Sequence, residues 1–386
     1  MTMTDEPIYL DHAAATPLDR RVFLAMEPYF SSLFYNPSSP YAPAIAVRRD
    51  YDEAKHAIAK TIGAKPDELV MTAGATESIN LAFNSIGGHI VTAAIEHHAV
   101  LEAAKRYDHT IVQADKKGII SADAIKKAIK LDTRLVSVAF ANNEIGTVQP
   151  LRDIAQVIKE ERARRLKHGD TTPIYLHSDA SQGAGLLDIH VARLGIDLLT
   201  LNAGKVYGPK QVGLLFAASH VRLSPQIVGG GQERGLRSGT ENVAGVIGFA
   251  RAMEIAESGR KKEAQRLHVL RDKLEQQLTL AFPEAIISGH PKRRLPGHLH
   301  ISFPGIDAER LVFALEMRSV LVATGSACAA NKGTRSHVLT AIGLPDEVAD
   351  GSLRLTLGHL STEENTTRAG DIIVEEIKRE MKRIAK

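Results

Sequence analysis

The feature that most constrains this chain is a repeated alternation in its first two-thirds. Short apolar runs recur at LVMT (69–72), HIVTA (89–93), TIVQAD (110–115), LVSVAF (135–140), IYLHSDA (174–180), DLLTLN (197–202) and VGLLFAA (212–218). Each run is too short for a helix and most are rich in Val, Ile and Leu. Helical stretches such as SADAIKKAIK (121–130) separate most of them. Strands that are apolar on both faces must be covered on both faces, and helical crossovers make neighbouring strands parallel. The pattern therefore predicts an α/β fold built on a mostly parallel sheet.

After about residue 240 the texture changes. ENVAGVIGFARAMEIAESG and KKEAQRLHVLRDKLEQQL read as a connecting helix pair. They are followed by strand-like HLHISF (298–303), a helix at AERLVFALE (308–316) and strand-like SLRLTL (352–357). A final helix opens with Ser361 and Glu364 at capping-box spacing. This second texture predicts a smaller α+β domain.

Composition narrows the function classes. At 24% charged and 44% hydrophobic residues, 386 residues are enough for more than one globular unit. The net charge of +3 is a mild bias for that length. The basic cluster KEERARRLKHG (159–169) is interrupted by glutamates, so it reads as a solvated helix face rather than a nucleic-acid site. A single cysteine, Cys328, excludes an internal disulfide and any Cys-rich metal pattern. The opening MTMTDEPIYL has neither a basic n-region nor an apolar h-region, and no run is long enough to span a bilayer. The expected address is the cytoplasm.

In open α/β sheets, ligands gather at the carboxyl ends of the strands. AGATES (73–78) follows the first run, and its backbone N–H groups with the Thr76 hydroxyl suit either a phosphate or simple helix capping. IEHHAV places His97 beside His98; adjacent residues do not share a metal easily, and no further ligand stands at zinc spacing. ANNEIG (141–146) offers donors and acceptors for a small ligand, or a turn. Asp179 closes an apolar strand and needs a cationic partner, either structural or a protonated ring nitrogen. Lys205 sits in a Gly-flanked turn, the open and desolvated setting that a Schiff-base lysine needs. The loop GGGQERGLRSGTEN (229–242) carries Arg234, Arg237 and Thr240 as candidate anion ligands. Arg354 points from a strand, as a carboxylate binder or a surface ion pair. GAGLLD (183–188) lacks the third glycine of a dinucleotide fingerprint.

Taken in order, LDHAAATP (10–17), NPSSP (36–40), AGATESINLAF (73–83), EHHAVL (96–101), ANNEIGTVQ (141–149), HSDASQGAG (177–185), GKVYGPKQVG (204–213), GGGQERGLRSGTENVA (229–244), ATGSACAA (323–330) and SLRLTLGHLSTEE (352–364) resemble the cysteine desulfurases. That family uses pyridoxal 5'-phosphate and has fold type I of the pyridoxal-phosphate-dependent transferases. The resemblance implies a large cofactor-binding domain over 16–259, with 1–15 and 260–386 forming the smaller domain that carries the cysteine loop.

It also implies roles. Lys205 carries the cofactor, Asp179 holds its ring nitrogen protonated, His97 stacks on the ring and moves protons, and Gln182 meets the ring hydroxyl. Ala75 and Thr76 bind the phosphate with Thr240 of a second subunit, so a homodimer is expected. Asn143 and Arg354 hold the carboxylate of L-cysteine. Cys328 takes the sulfur as a persulfide, and small neighbours such as Gly325 and Ala329 let its loop swing toward a sulfur-acceptor protein. The GSAC form resembles the group serving iron–sulfur cluster assembly and tRNA thiolation. One departure stands at the phosphate: the family's Ser-Gly-His before the lysine is Asn202-Ala203-Gly204, leaving Asn202 as the side-chain donor. The competing readings are a lyase acting on selenocysteine or cysteine sulfinate, and a non-catalytic paralogue that binds partners.

Overall fold

The computed structural model describes residues 6–324 and 335–385. Cys328 lies outside the described residues. A seven-stranded sheet runs in the order Leu69–Thr72, Gly213–Ala217, Leu198–Asn202, Tyr175–Asp179, Thr133–Ser137, His89–Ala93, His109–Val112. Within it only Gly213–Ala217 runs antiparallel to its neighbours; the other pairings are parallel. The exception follows from chain length. Only a short turn joins Asn202 to Gly213, too short for the crossover that a parallel neighbour requires.

Both faces of this sheet are covered, as its apolar strands demand. Alternate residues feed opposite cores: Leu69, Val91, Val136 and Leu199 pack into one, and Val70, Ile90, Leu135 and Leu198 into the other. The helix Ala42–Ile62 covers the first face with Tyr51, Ile58 and Ile62. The helix Ala75–Ile86 covers the second with Ile79, Ala82 and Phe83.

A four-stranded antiparallel sheet, ordered Ala323–Thr324, Ser352–Thr356, His298–Ser302, Ile286–Ser288, builds a third core with the helices Ala308–Glu316 and Glu363–Ile384. The N-terminal strap joins this core: Ile8–Tyr9 pairs with Val320–Leu321, and Ile8 and Leu10 are buried in it.

Three expectations change. The region expected as a helix pair is one 39-residue helix, Val243–Ala281. Gly259 does not break it: the position where its Cβ would lie is open, and a glycine there costs only about 1 kcal/mol. Val246, Phe249 and Met253 of this helix enter the large sheet's core, whereas Leu267, Leu270, Leu274 and Leu278 enter the third.

The last helix is capped one residue later than its sequence implies. Thr362 and Asn365 form the reciprocal box, while Ser361 Oγ accepts the Gly358 N–H. Finally, the basic cluster is not wholly solvated. Arg165 is buried, donating to the carbonyls of Lys130, Thr133 and Thr172 and to Glu161. Among the described residues, no helix is long and apolar enough to cross a membrane.

Candidate active site

The parallel strands end on one edge, and the chemistry-bearing side chains collect there. A cavity of about 300 Å³ is lined by Ala75, Thr76, His97, Asn143, Asp179, Gln182, Asn202, Lys205 and Arg354, among others. Of the nine candidates expected from sequence to serve cofactor or substrate besides the lysine itself, eight share one space with it and Thr240 does not. Thr240 lines a separate cavity with Thr72, Ala73, Glu233 and Arg237.

Local structure explains each placement. Lys205 ends a single 3₁₀ turn, Ala203–Lys205, that follows directly on the strand Leu198–Asn202. Asn202 caps this turn, its Oδ1 accepting the Gly204 N–H at 3.0 Å. The turn is pinned from below by Gly208, whose Cβ would lie 2.8 Å from the Ala203 carbonyl oxygen. Lys205 Nζ donates to the carbonyls of Ala13 at 2.8 Å and Ala14 at 2.6 Å. Gln182 Nε2 donates to the same Ala13 oxygen at 3.1 Å.

Asp179 is the last residue of its strand, and its Oδ1 accepts the Ser181 N–H at 2.9 Å. His97 is the N-cap of the helix His98–Ala104, with Nδ1 accepting the Ala99 N–H at 3.1 Å. That bond fixes the tautomer, leaving Nε2 to carry the proton of the neutral ring. Burial pushes the His97 pKa below its ordinary value, and the Asp179 carboxylate only partly offsets this.

The helix Ala75–Ile86 begins without a side-chain cap. Its N-cap, Gly74, has φ +143°, and no heavy atom lies within 4 Å of where its Cβ would sit. Open space over an uncapped helix start is the setting in which backbone N–H groups and the helix dipole hold a phosphate. Glu77 turns back to accept the Ala73 N–H and to pair with Arg237, so it does not fill that space.

Arg354 is 3% exposed and enters from the other sheet, on Ser352–Thr356. It is paired with Asp11 at 2.7 Å, and its second contact is the Asn143 carbonyl at 3.4 Å. Asn143's neighbour Asn142 is fully engaged as a brace, bonding the Ile95 carbonyl and the N–H groups of Glu144 and Ile145.

Over residues 8–368 the chain matches the family described as aminotransferase class-V. The chain belongs to the class-V aminotransferase family. Within it, the chain is 39% identical over 378 residues to a protein of Dictyoglomus turgidum named cysteine desulfurase IscS, covering 95% of this chain and 93% of that one. A solved structure described as a NifS-like protein superposes with TM-score 0.88 at 33% identity, over 96% of this chain and 99% of the other. A second, described as SspA in complex with cysteine, gives TM-score 0.76 at 34% identity, over 91% and 98%.

The class-V family is one of pyridoxal-phosphate enzymes, and the residues of this cavity fit that cofactor. A phosphate has the open helix start at Gly74–Thr76, a pyridinium nitrogen has Asp179, an aldehyde has Lys205, and the ring has room beside His97. Asn202 Oδ1 is taken by the turn, so its amide nitrogen is the remaining side-chain donor at the departed Ser-Gly-His position.

Several neighbours of the site were not singled out from sequence. Glu96 and Glu144 are deeply buried, and burial pushes each up to about 8. Glu144 accepts from Ser336 Oγ at 2.8 Å, and His337 Nε2 lies 2.9 Å from the Glu96 carbonyl oxygen. A smaller cavity of about 70 Å³ lies on the far side of Lys205, lined by His12, Tyr207, Glu263, His298 and His359. Asp11 and the Ala13 and Ala14 carbonyls carried no signal of their own, because a short polar residue before an alanine run has no distinguishing period.

Proposed function

We propose that this chain is a cysteine desulfurase. It takes L-cysteine, releases L-alanine and keeps the sulfur as a persulfide on Cys328. In that reaction the Cβ–S bond of substrate breaks, an S–S bond to Cys328 forms, and a proton goes to carbon. The observation that carries this reading is the meeting of Lys205, Asp179, His97 and a buried carboxylate-binding arginine in one cavity of about 300 Å³. The relatives' names support it.

Pyridoxal phosphate, when bound, supplies the electron sink that lets the substrate's Cα–H and Cβ–S bonds weaken. Lys205 would carry it, with Asp179 holding the ring nitrogen charged and Gln182 meeting the ring hydroxyl. The N–H groups at Ala75 and Thr76, the Asn202 amide and Thr240 of a partner subunit would hold the phosphate. Asn143 and Arg354 hold the substrate carboxylate. Lys205 Nζ, seated against two carbonyls, moves protons at the substrate's carbon. His97, neutral because burial lowers its pKa and with its proton on Nε2, presents an N–H donor to the site.

Homodimerisation belongs to the same reading. Phe30 and Phe34 are each 66% exposed and Val228 is 77% exposed, apolar side chains that a partner subunit would cover. The same reading divides the chain into a large unit over 16–259 and a smaller one over 1–15 and 260–386. The third core, drawn from Ile8, Leu10 and residues from Leu267 onward, supports it, whereas Val338, Leu339, Ile342 and Ala349 pack into the large sheet's core. The sulfur then passes to an acceptor protein, an iron–sulfur scaffold or sulfur carrier, in the cytoplasm.

The test is spectroscopic and chemical. Protein supplied with pyridoxal phosphate should be yellow, change its visible band on adding L-cysteine, and release alanine. Lys205→Ala should do none of these. Wild-type protein that stays colourless with added cofactor would sink the reading and favour a non-catalytic binding protein.

A further inference from the structure

We propose that Asp11 is a positioning residue that sets how strongly Arg354 holds the substrate carboxylate: a fixed anion behind the guanidinium that aims it and moderates its charge. This rests on the reading of Arg354 as the carboxylate binder.

The geometry is specific. Arg354 lines the substrate cavity and Asp11 does not. Asp11 Oδ1 accepts from one terminal nitrogen of Arg354 at 2.7 Å, while among the described residues the other terminal nitrogen has the 3.4 Å contact to the Asn143 carbonyl. Nε is buried with no hydrogen-bond partner among the described residues. The guanidinium is thus tethered on one side and under-used on the others.

The tether is built into the backbone. Asp11 is bridged to Thr356. The Thr356 N–H donates to the Leu10 carbonyl at 2.7 Å, and the Ala13 N–H donates to Thr356 Oγ1 at 2.9 Å. Tyr9 adds a third tie, donating from its hydroxyl to the carbonyls of Asp11 and Ala15. These bonds fix the register of the strap against the strand that carries Arg354.

Charge around the arginine makes Asp11 the dominant counterion. Glu144 lies nearby, with Oε1 3.7 Å from His300 Nε2, but burial pushes its carboxyl up to about 8. Burial likewise holds His298 and His300 down at about 3, so both rings are neutral near pH 7. Asp11 therefore offsets a buried cation that would otherwise be costly. It also competes with an incoming carboxylate for the same positive charge. Removing the charge while keeping the hydrogen bond should tighten carboxylate binding; removing both should misaim the guanidinium.

Calorimetric titration of holoenzyme with L-alanine, and with ethylamine as its carboxylate-free counterpart, tests this. Asp11→Asn should bind L-alanine about tenfold more tightly than wild type, since an anion beside the cation is gone. Its ethylamine affinity should be unchanged. Its KM for L-cysteine should fall without a rise in kcat, the mark of uniform binding. Asp11→Ala should bind L-alanine more weakly than Asp11→Asn, and Asp11→Glu should stay close to wild type. Melting scans report whether each variant is folded; should Asp11→Ala not fold, the Asn and Glu variants decide alone.

Arg354→Gln separates the two ways to fail. If it loses L-alanine affinity while Asp11→Asn leaves that affinity unchanged or weakened, the proposal for Asp11 is overturned. If Arg354→Gln binds L-alanine as wild type does, the carboxylate reading itself is wrong and this proposal goes with it.

Discussion

At the residue scale, the site depends on a few groups whose environment sets their protonation. His97 should act as a neutral ring that donates from Nε2, so replacing it with Gln should lower kcat by about 10²–10⁴-fold, the usual range for a positioned proton-transfer group. Steady-state kinetics on folded, cofactor-loaded variant checks this. Because burial depresses the pKa of His97, its acid-side loss of activity should fall below the ordinary imidazole range.

Glu144 carries a different consequence. Its folded-state pKa of about 8 lies above its ordinary value of 4.5, so the folded protein binds a proton that the unfolded chain does not. The stability this supplies is fully present below about 4.5 and is lost as pH rises through about 8. The melting temperature should therefore drop between about pH 4.5 and about pH 8, and Glu144→Gln should make that slope shallower, leaving the share that belongs to Glu96. An equally steep fall in the variant would place the titration elsewhere.

At the element scale, the turns after strands matter more than the strands themselves. Gly213 shows why. A Cβ there would lie 2.6 Å from Gly74 Cα and 2.8 Å from the Leu201 carbonyl oxygen, both backbone atoms that cannot swing aside. Gly213→Ala should push apart the strand ends that support the phosphate cradle. The expected result is about 1–3 kcal/mol of lost stability and weaker retention of pyridoxal phosphate, read by denaturation and by visible absorbance after dialysis.

The strands of the large sheet were legible because short Val-, Ile- and Leu-rich runs between helical stretches admit few alternatives. Their mates across the strand edge were less so. Helix continuity through Gly259 was hidden, since a lone glycine looks like a break unless tertiary packing holds both flanks. The capping register at Thr362 was hidden too, because Ser361 and Glu364 have the same spacing as the pair that forms. The buried Glu233 could not be foreseen in a glycine-rich loop. It accepts from Tyr51, Lys55 and the Met71 N–H, ties that outweigh the burial opposing its charge and hold its pKa low.

At the scale of the whole molecule, the site is assembled from distant parts of the chain. Lys205 and Asp179 come from the parallel sheet, Arg354 from the antiparallel one, and the residue 11–14 strap touches both. The ordered set of motifs made this assembly legible through its resemblance to a family, whereas any one of these residues alone has an ordinary structural explanation. The strap was legible only as a motif, because its contribution runs through backbone carbonyls that no side chain announces. A dimer should bury the exposed Phe30, Phe34 and Val228, and light scattering should return twice the mass of the chain. A fully active monomer would contradict the placement of Thr240 in a partner's phosphate site.

The most direct test is a single turnover of holoenzyme with L-cysteine and no acceptor, with alanine and the sulfur adduct on Cys328 both quantified by mass spectrometry. The account predicts equal amounts of alanine and Cys328 persulfide in wild type, and loss of both in Cys328→Ser. Undiminished alanine from L-cysteine in Cys328→Ser would contradict it, and would point instead to a lyase that eliminates its leaving group without an enzyme thiol.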